Sequence, residues 1–321
     1  MNDTRREVDH GGRHDRPAPA STGALARRAG VGAMLVFLLQ LAACGGGGDA
    51  APVSPAPPAP PVAVDPAPPV SPVAAGPAPV GYRLVWADEF DVAGVPDATR
   101  WAYDTDRNRL GWYNNELQYY SASRLENSVV GSGHLRITAR LESLNTAADW
   151  GGQRYTSARL VTRGKAAWTY GFFEVRARLP CGRGTWPAIW TLGSGGVWPD
   201  DGEIDIMEQV GSNPSRVFGT VHTLQSGGPG TGAAVQVPDA CTAFHNYQMH
   251  WTADAIAIGV DGVEYYRYAN PRAGKVTWPF DAPQYLLLNI AIGGVLGGSV
   301  DDTIFPVTME IDHVRVYQAP R

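Results

Sequence analysis

Residues 202–210, Gly-Glu-Ile-Asp-Ile-Met-Glu-Gln-Val, place three carboxylates within six positions and interleave them with apolar side chains. Alternation of this kind describes a strand buried on one face, because successive strand side chains point to opposite sides. Ile204 and Ile206 then face a core, and Glu203 and Asp205 face away from it. Glu208 breaks the rule. It lies five residues beyond Glu203, so regular geometry turns it inward beside the isoleucines. A buried, unpaired carboxylate is costly enough to be neutralised or expelled. The pattern therefore predicts a β-bulge near Ile206-Met207 that returns Glu208 to the acidic face.

Three acids on one side of one strand suit glycoside hydrolysis. Four strand steps separate the glutamate Cα atoms by about 13 Å. Side chains leaning together on a concave strand can bring the carboxyl groups near the ~5–5.5 Å of a retaining enzyme. Such a pair needs unlike proton affinities, which Asp205 between them can help to set. The same residues taken alone also fit an acidic solvent-facing strand or a metal patch.

The rest of the chain narrows the choice. A net charge of −5, with no basic run beyond the N-terminus, argues against a nucleic-acid partner. Glycine, tryptophan and tyrosine are abundant while charge is sparse, as expected of an all-β protein with many turns and an aromatic-lined groove. Residues 1–43 read as a signal peptide: a polar start ending in Arg27-Arg28, then an apolar run from Ala29 to Ala43 too short to span a membrane comfortably. Leu41-Ala42-Ala43-Cys44 resembles the lipobox of bacterial lipoproteins, which implies lipidation of Cys44, export and anchoring of the protein to the outer membrane or cell surface. Residues 44–80 form a tether, first Gly-rich and then Pro/Ala-rich, with twelve prolines in the thirty residues from Ala51 to Val80. That content enforces semi-rigid polyproline II reaching up to roughly 90 Å.

Residues 81–319 are expected to fold as one domain. Leu135–Arg140 and Phe173–Leu179 alternate cleanly, and Ile256–Val260 runs through Asp261-Gly262, a hairpin signal, into Val263–Tyr268. Tyr285–Ile292 is almost uniformly apolar, the mark of a strand buried on both faces. No segment sustains a helical period for three turns, and no internal repeat is present. More than a dozen short strands favour an all-β, two-sheet antiparallel sandwich with jelly-roll connections.

Several blocks resemble glycoside hydrolase family 16: Trp86–Phe90, Asn114–Tyr120, Tyr155–Leu160, Tyr170–Glu174, Gly184–Trp190 and Asp312–Tyr317, with Glu203–Glu208 at their centre in the bulged form of the laminarinases. The resemblance covers the whole expected domain. It implies a β-jelly-roll with a concave substrate cleft, Glu203 as nucleophile, Glu208 as general acid/base, and Asp205 between them tuning Glu203. It implies sugar contacts from Asn115, Arg159, Trp186, Trp198 and His222, with Trp190 given to the core. Arg159 fits an ion pair with Glu116 equally well, and His222 fits a structural role. No cofactor is needed for the chemistry, but family members often carry a structural calcium ion, for which Asp312, Glu89 and Gly133 are the candidates.

With Cys44 lipidated, Cys181 and Cys241 remain. Each follows a loop-like residue in an oxidising compartment, so one disulfide is expected, against two free buried thiols. The implied activity is endo-hydrolysis of β-1,3-glucan by a monomer anchored to the membrane through Cys44. The alternatives are action on mixed-linkage β-glucan or a galactan such as agar, or a non-catalytic glucan-binding surface lipoprotein.

Overall fold

The computed structural model describes residues 78–320, so the expectations for the signal peptide, Cys44 and nearly all of the tether lie outside it. The described chain is almost entirely strand. β1 (Arg83–Asp88), β2 (Ala102–Tyr103), β3 (Gln118–Tyr120), β4 (Ser128–Gly131), β5 (His134–Leu141) and β6 (Tyr155–Ser157) come first. β7 (Arg159–Val161), β8 (Gly171–Arg178), β9 (Thr185–Gly193), β10 (Glu203–Gln209), β11 (Arg216–His222) and β12 (Thr231–Gln236) follow. β13 (His245–Trp251), β14 (Ala255–Val260), β15 (Val263–Ala269), β16 (Gln284–Ile292) and β17 (Val307–Gln318) complete it. Helix is confined to the single turn Gly294–Gly297 and two 3-10 turns, so among the described residues no helix is long and apolar enough to cross a membrane.

The strands form the expected two-sheet sandwich. One sheet has ten strands, built on the order β15-β14-β13-β8-β17-β5-β6-β3, with β1 beside β17 and β4 beside β5. The other has seven, in the order β12-β11-β10-β9-β16-β7-β2. Pairing is antiparallel throughout except between β3 and β6. The inward side chains of both sheets, among them Ile189, Ile204, Leu288, Val175, Met249 and Ile311, form one continuous core. Apolar surface withdrawn from water on two facing sheets is what holds such a fold together.

Local chemistry decides several connections. Asp261 and Gly262 both adopt positive φ, 50° and 76°, as the two-residue turn between β14 and β15 requires. Gly202 opens β10 at φ 77°, and a side chain there would meet Phe280 at 2.5 Å. All nine residues of β16 are buried, because its outward side chains are covered as fully as its inward ones. Cys181, just after β8, and Cys241, just before β13, are bonded to each other with Cα atoms 5.8 Å apart, well within the range a disulfide accepts.

Candidate active site

β10 lies inside the seven-stranded sheet, paired with β9 on one side and β11 on the other. Its registers carry the bulge. Asp205 pairs with Thr220 and Glu208 with Phe218, so β10 advances three residues where β11 advances two. On the other side Asp205 pairs with Trp190 and Met207 with Ile189. Ile206 and Met207 both enter the core, fully buried, and Glu208 emerges on the same face as Glu203 and Asp205. The pairing of Glu203 with Leu192 and Glu208 with Ala188 sets the two glutamates four partner-strand residues apart.

The three acids sit in unlike surroundings. Glu203 is partly open and accepts a hydrogen bond from the Trp198 indole N–H. Trp198 is 52% exposed, so its ring remains available to a ligand. Asp205 is almost fully buried; burial, then the neighbouring Glu203 charge, pushes its carboxyl well above the usual range, and its O–H bonds to Glu203. His222 Nε2 lies 3.1 Å from Asp205 Oδ2, and its Nδ1 lies 3.2 Å from the Gly227 carbonyl. Glu208 is pushed well above its ordinary value by burial and by the Asp205 charge, while the Trp186 N–H, donating to its Oε1 at 2.8 Å, works in the opposite direction. One partly open carboxylate beside one buried, proton-retaining carboxyl is the asymmetry that acid-assisted displacement requires.

The flanking residues refine the sequence reading. Trp186 is nearly buried, and its indole N–H donates to Glu208. Trp190 is not in the core between the sheets. Its pairing with Asp205 places it on the acidic face, where its indole donates to Asn289 Oδ1 at 2.7 Å and the Arg159 guanidinium lies 4.6 Å from its ring centroid. Arg159 belongs to Asp104, with Nε 3.1 Å from Oδ2, close enough for an ion pair though not aligned as a hydrogen bond. Glu116 instead accepts from Gln118, and burial raises its pKa. Asn115 is exposed at φ 58° in the turn Tyr113–Asn115. Asp104, Asn289 and Trp112, whose ring centroid lies 5.1 Å from the Arg159 guanidinium, carried no signal in the sequence.

The three calcium candidates lie on the ten-stranded sheet, away from the acids. Glu89 gives both carboxylate oxygens to Arg315, at 2.8 and 2.7 Å, and is held below its usual pKa by that bond. Asp312 Oδ2 is taken by Arg176 at 2.8 Å, and its Oδ1 faces His134, the neighbour of Gly133, at 3.5 Å. Calcium asks for six to eight oxygens. Two guanidinium ions already occupy three of the four carboxylate oxygens, so these side chains as a set do not fit the ion.

This geometry has relatives. Residues 116–313 match the family model described as Glycosyl hydrolases family 16. The chain belongs to that family. It is 51% identical over 253 residues to a beta-glucanase of Rhodothermus marinus, covering 74% of this chain and 85% of the relative. The crystal structure of SCLam, a non-specific endo-β-1,3(4)-glucanase, is 51% identical with a TM-score of 0.75, covering 78% of this chain and 95% of that one. The Rhodothermus marinus laminarinase structure is 50% identical with a TM-score of 0.70, covering 75% and 98%. The strands described above are therefore a family 16 jelly roll, and the protein is a glycoside hydrolase.

The raised pKa of Asp205 carries a stability consequence with a definite sign. Between the unfolded and the raised folded pKa, the native state holds a proton that the unfolded state has released, so stability falls as pH rises through that window, by at most about 1.4 kcal/mol per pH unit. Asp205→Asn removes this loss. Thermal melting of Asp205→Asn should match wild type near pH 4 and exceed it increasingly toward pH 8; a difference independent of pH would contradict the assignment.

Proposed function

We propose that this family 16 enzyme is a retaining endo-glycosidase that hydrolyses β-1,3-glucan by double displacement without a cofactor. The observation that supports this most strongly is the division of labour across the β10 bulge: buried Glu208 keeps a proton, while Glu203 is open to the cleft and steadied by Trp198. In the first step Glu208 gives its proton to the glycosidic oxygen as Glu203 attacks the anomeric carbon, breaking that bond and forming a glycosyl ester. In the second, the Glu208 carboxylate takes a proton from water, the water oxygen attacks the same carbon, and Glu203 leaves as a carboxylate. The Asp205 hydroxyl supports Glu203 as its charge returns. Trp198 and Trp190, on the same face, offer ring surfaces to the C–H patches of pyranose rings.

The substrate follows from the relatives, which are named as β-glucanases and laminarinases. A second reading, cleavage of mixed-linkage β-glucan as well, is favoured by the likeness to a non-specific endo-β-1,3(4)-glucanase. Reducing-sugar release from laminarin, lichenan, agarose and xyloglucan separates the cases. Laminarin should be cleaved fastest and lichenan next, with short oligosaccharides among the early products. Activity confined to agarose would overturn the substrate assignment, and no release from any of the four would favour a glucan-binding role.

We further propose that the enzyme is exported and held at a membrane by lipid on Cys44. Wild type should then sediment with membranes and Cys44→Ser should be soluble. A soluble wild type cleaved elsewhere than before Cys44 would remove the anchor.

A further inference from the structure

Register shifts interrupt both sheets: β10 carries the one already described, and β1, β15 and β17 of the ten-stranded sheet carry others. In β15, Ile258 pairs with Tyr266 and Gly259 with Glu264, which leaves Tyr265 as an extra residue. An extra residue re-aims the side chains around it, and Tyr265, Tyr266 and Tyr268 all pack against the core between the sheets. Tyr266 and Tyr268 finish in hydrogen bonds, to Thr231 at 2.9 Å and to the Thr277 carbonyl at 2.7 Å. The Tyr265 hydroxyl is buried and has no partner.

Its position is informative. A Cβ placed on Gly219 of β11 would lie 2.8 Å from Tyr265 Oη and 3.0 Å from the main-chain oxygen of Asp205. The hydroxyl therefore comes up from the opposite sheet to the underside of the β10 bulge, through a gap that exists because residue 219 has no side chain. Gly219 sits between Phe218 and Thr220, the residues paired with Glu208 and Asp205, so the gap is opposite the bulge itself. Leaving a buried hydroxyl unpartnered costs stability, and such costs gather where function demands the arrangement.

We propose that Tyr265 is a positioning residue for Glu208 and Asp205, its hydroxyl steadying the β10 bulge from beneath through the space left by Gly219. This rests on the acid/base role given to Glu208 above. The groups that act on Glu208 are Asp205 and Glu203 on its own strand, Trp186 on β9 and His222 on β11. All belong to the seven-stranded sheet. Tyr265 reaches the acids from the other sheet, and the charges of Glu208 and Asp205, after burial, raise its own pKa. With its hydrogen turned toward the bulge, a neutral hydroxyl there would favour the ionised form of Glu208, so its removal is expected to raise the Glu208 pKa.

The test is Tyr265→Phe, which deletes the oxygen alone, with Gly219→Ala and the double variant beside it. Glu208 is titrated by 13C NMR of its carboxyl carbon, and kcat and KM on laminarin are measured across pH. In Tyr265→Phe the Glu208 pKa and the basic limb of the pH–rate profile should both rise by about half a unit. kcat should fall roughly three- to tenfold with KM held, and the melting temperature should equal or exceed that of wild type. A tyrosine that only fills space would give the reverse, a lower melting temperature with the Glu208 titration unmoved, and that result overturns the proposal. Gly219→Ala should lose activity by pushing a methyl into the place of the hydroxyl, and Tyr265→Phe should restore part of the loss. Strictly additive effects would count against the shared site. Should Gly219→Ala not fold, the titration in Tyr265→Phe decides alone. The titration needs no substrate, so a failure to cleave laminarin bears on the proposed activity and leaves this test intact.

Discussion

A carboxylate cannot be left unpaired in a packed core, and one inserted residue in β10 is how this fold obeys that constraint. By putting Ile206 and Met207 inward in succession, the bulge turns Glu208 out beside Glu203 and Asp205. Everything in the site depends on that displacement. Without it the sheet would present two acids instead of three, and the core would hold a charge that nothing neutralises. β10 is paired on both sides, so the bulge is fixed by two registers and the spacing of the acids is set by rigid strands, not loops.

Burial then differentiates what the backbone has aligned. Three carboxylates so close together cannot all be ionised comfortably. Burial pushes the carboxyls of Asp205 and Glu208, the two most enclosed, well above the usual range, whereas Glu203 stays partly open. Indole N–H groups reach the outer pair: Trp198 donates to Glu203 and Trp186 to Glu208. Each donor comes from the seven-stranded sheet or the loop leading into β10, so the side chains that orient the acids move with the strand that bears them.

The bulge and the three acids were legible in the sequence because regular alternation there contradicts itself, and a contradiction in physical terms has few remedies. The all-β character and the Asp261-Gly262 turn were legible for similar reasons, since period-2 alternation and positive φ have strong chemical signatures. What could not be read was which face a doubly buried strand presents. Trp190 looks like a core residue by size and context, and only its register against Asp205 places it beside the acids. Ion-pair partners were equally hidden: Arg159 turns to Asp104 on a neighbouring segment and not to Glu116, and Arg315 closes Glu89 to a metal from the far end of the chain. Tyr265 carried no motif at all. Its interest arises from a missing side chain at Gly219, which is a statement about three-dimensional space.

The central claim is the division of roles between Glu203 and Glu208, and azide distinguishes them by product stereochemistry. With an aryl β-glycoside bearing a good leaving group, Glu208→Ala should still form the glycosyl ester and stall there, because departure needs no acid while water needs a base. Azide needs no deprotonation and should release a β-glycosyl azide after two inversions. In Glu203→Ala azide occupies the vacated space and attacks once, giving the α-azide. NMR of the products decides the matter: β-azide from Glu208→Ala with α-azide from Glu203→Ala is the expected pair, and the opposite pair would mean that the two glutamates have exchanged roles.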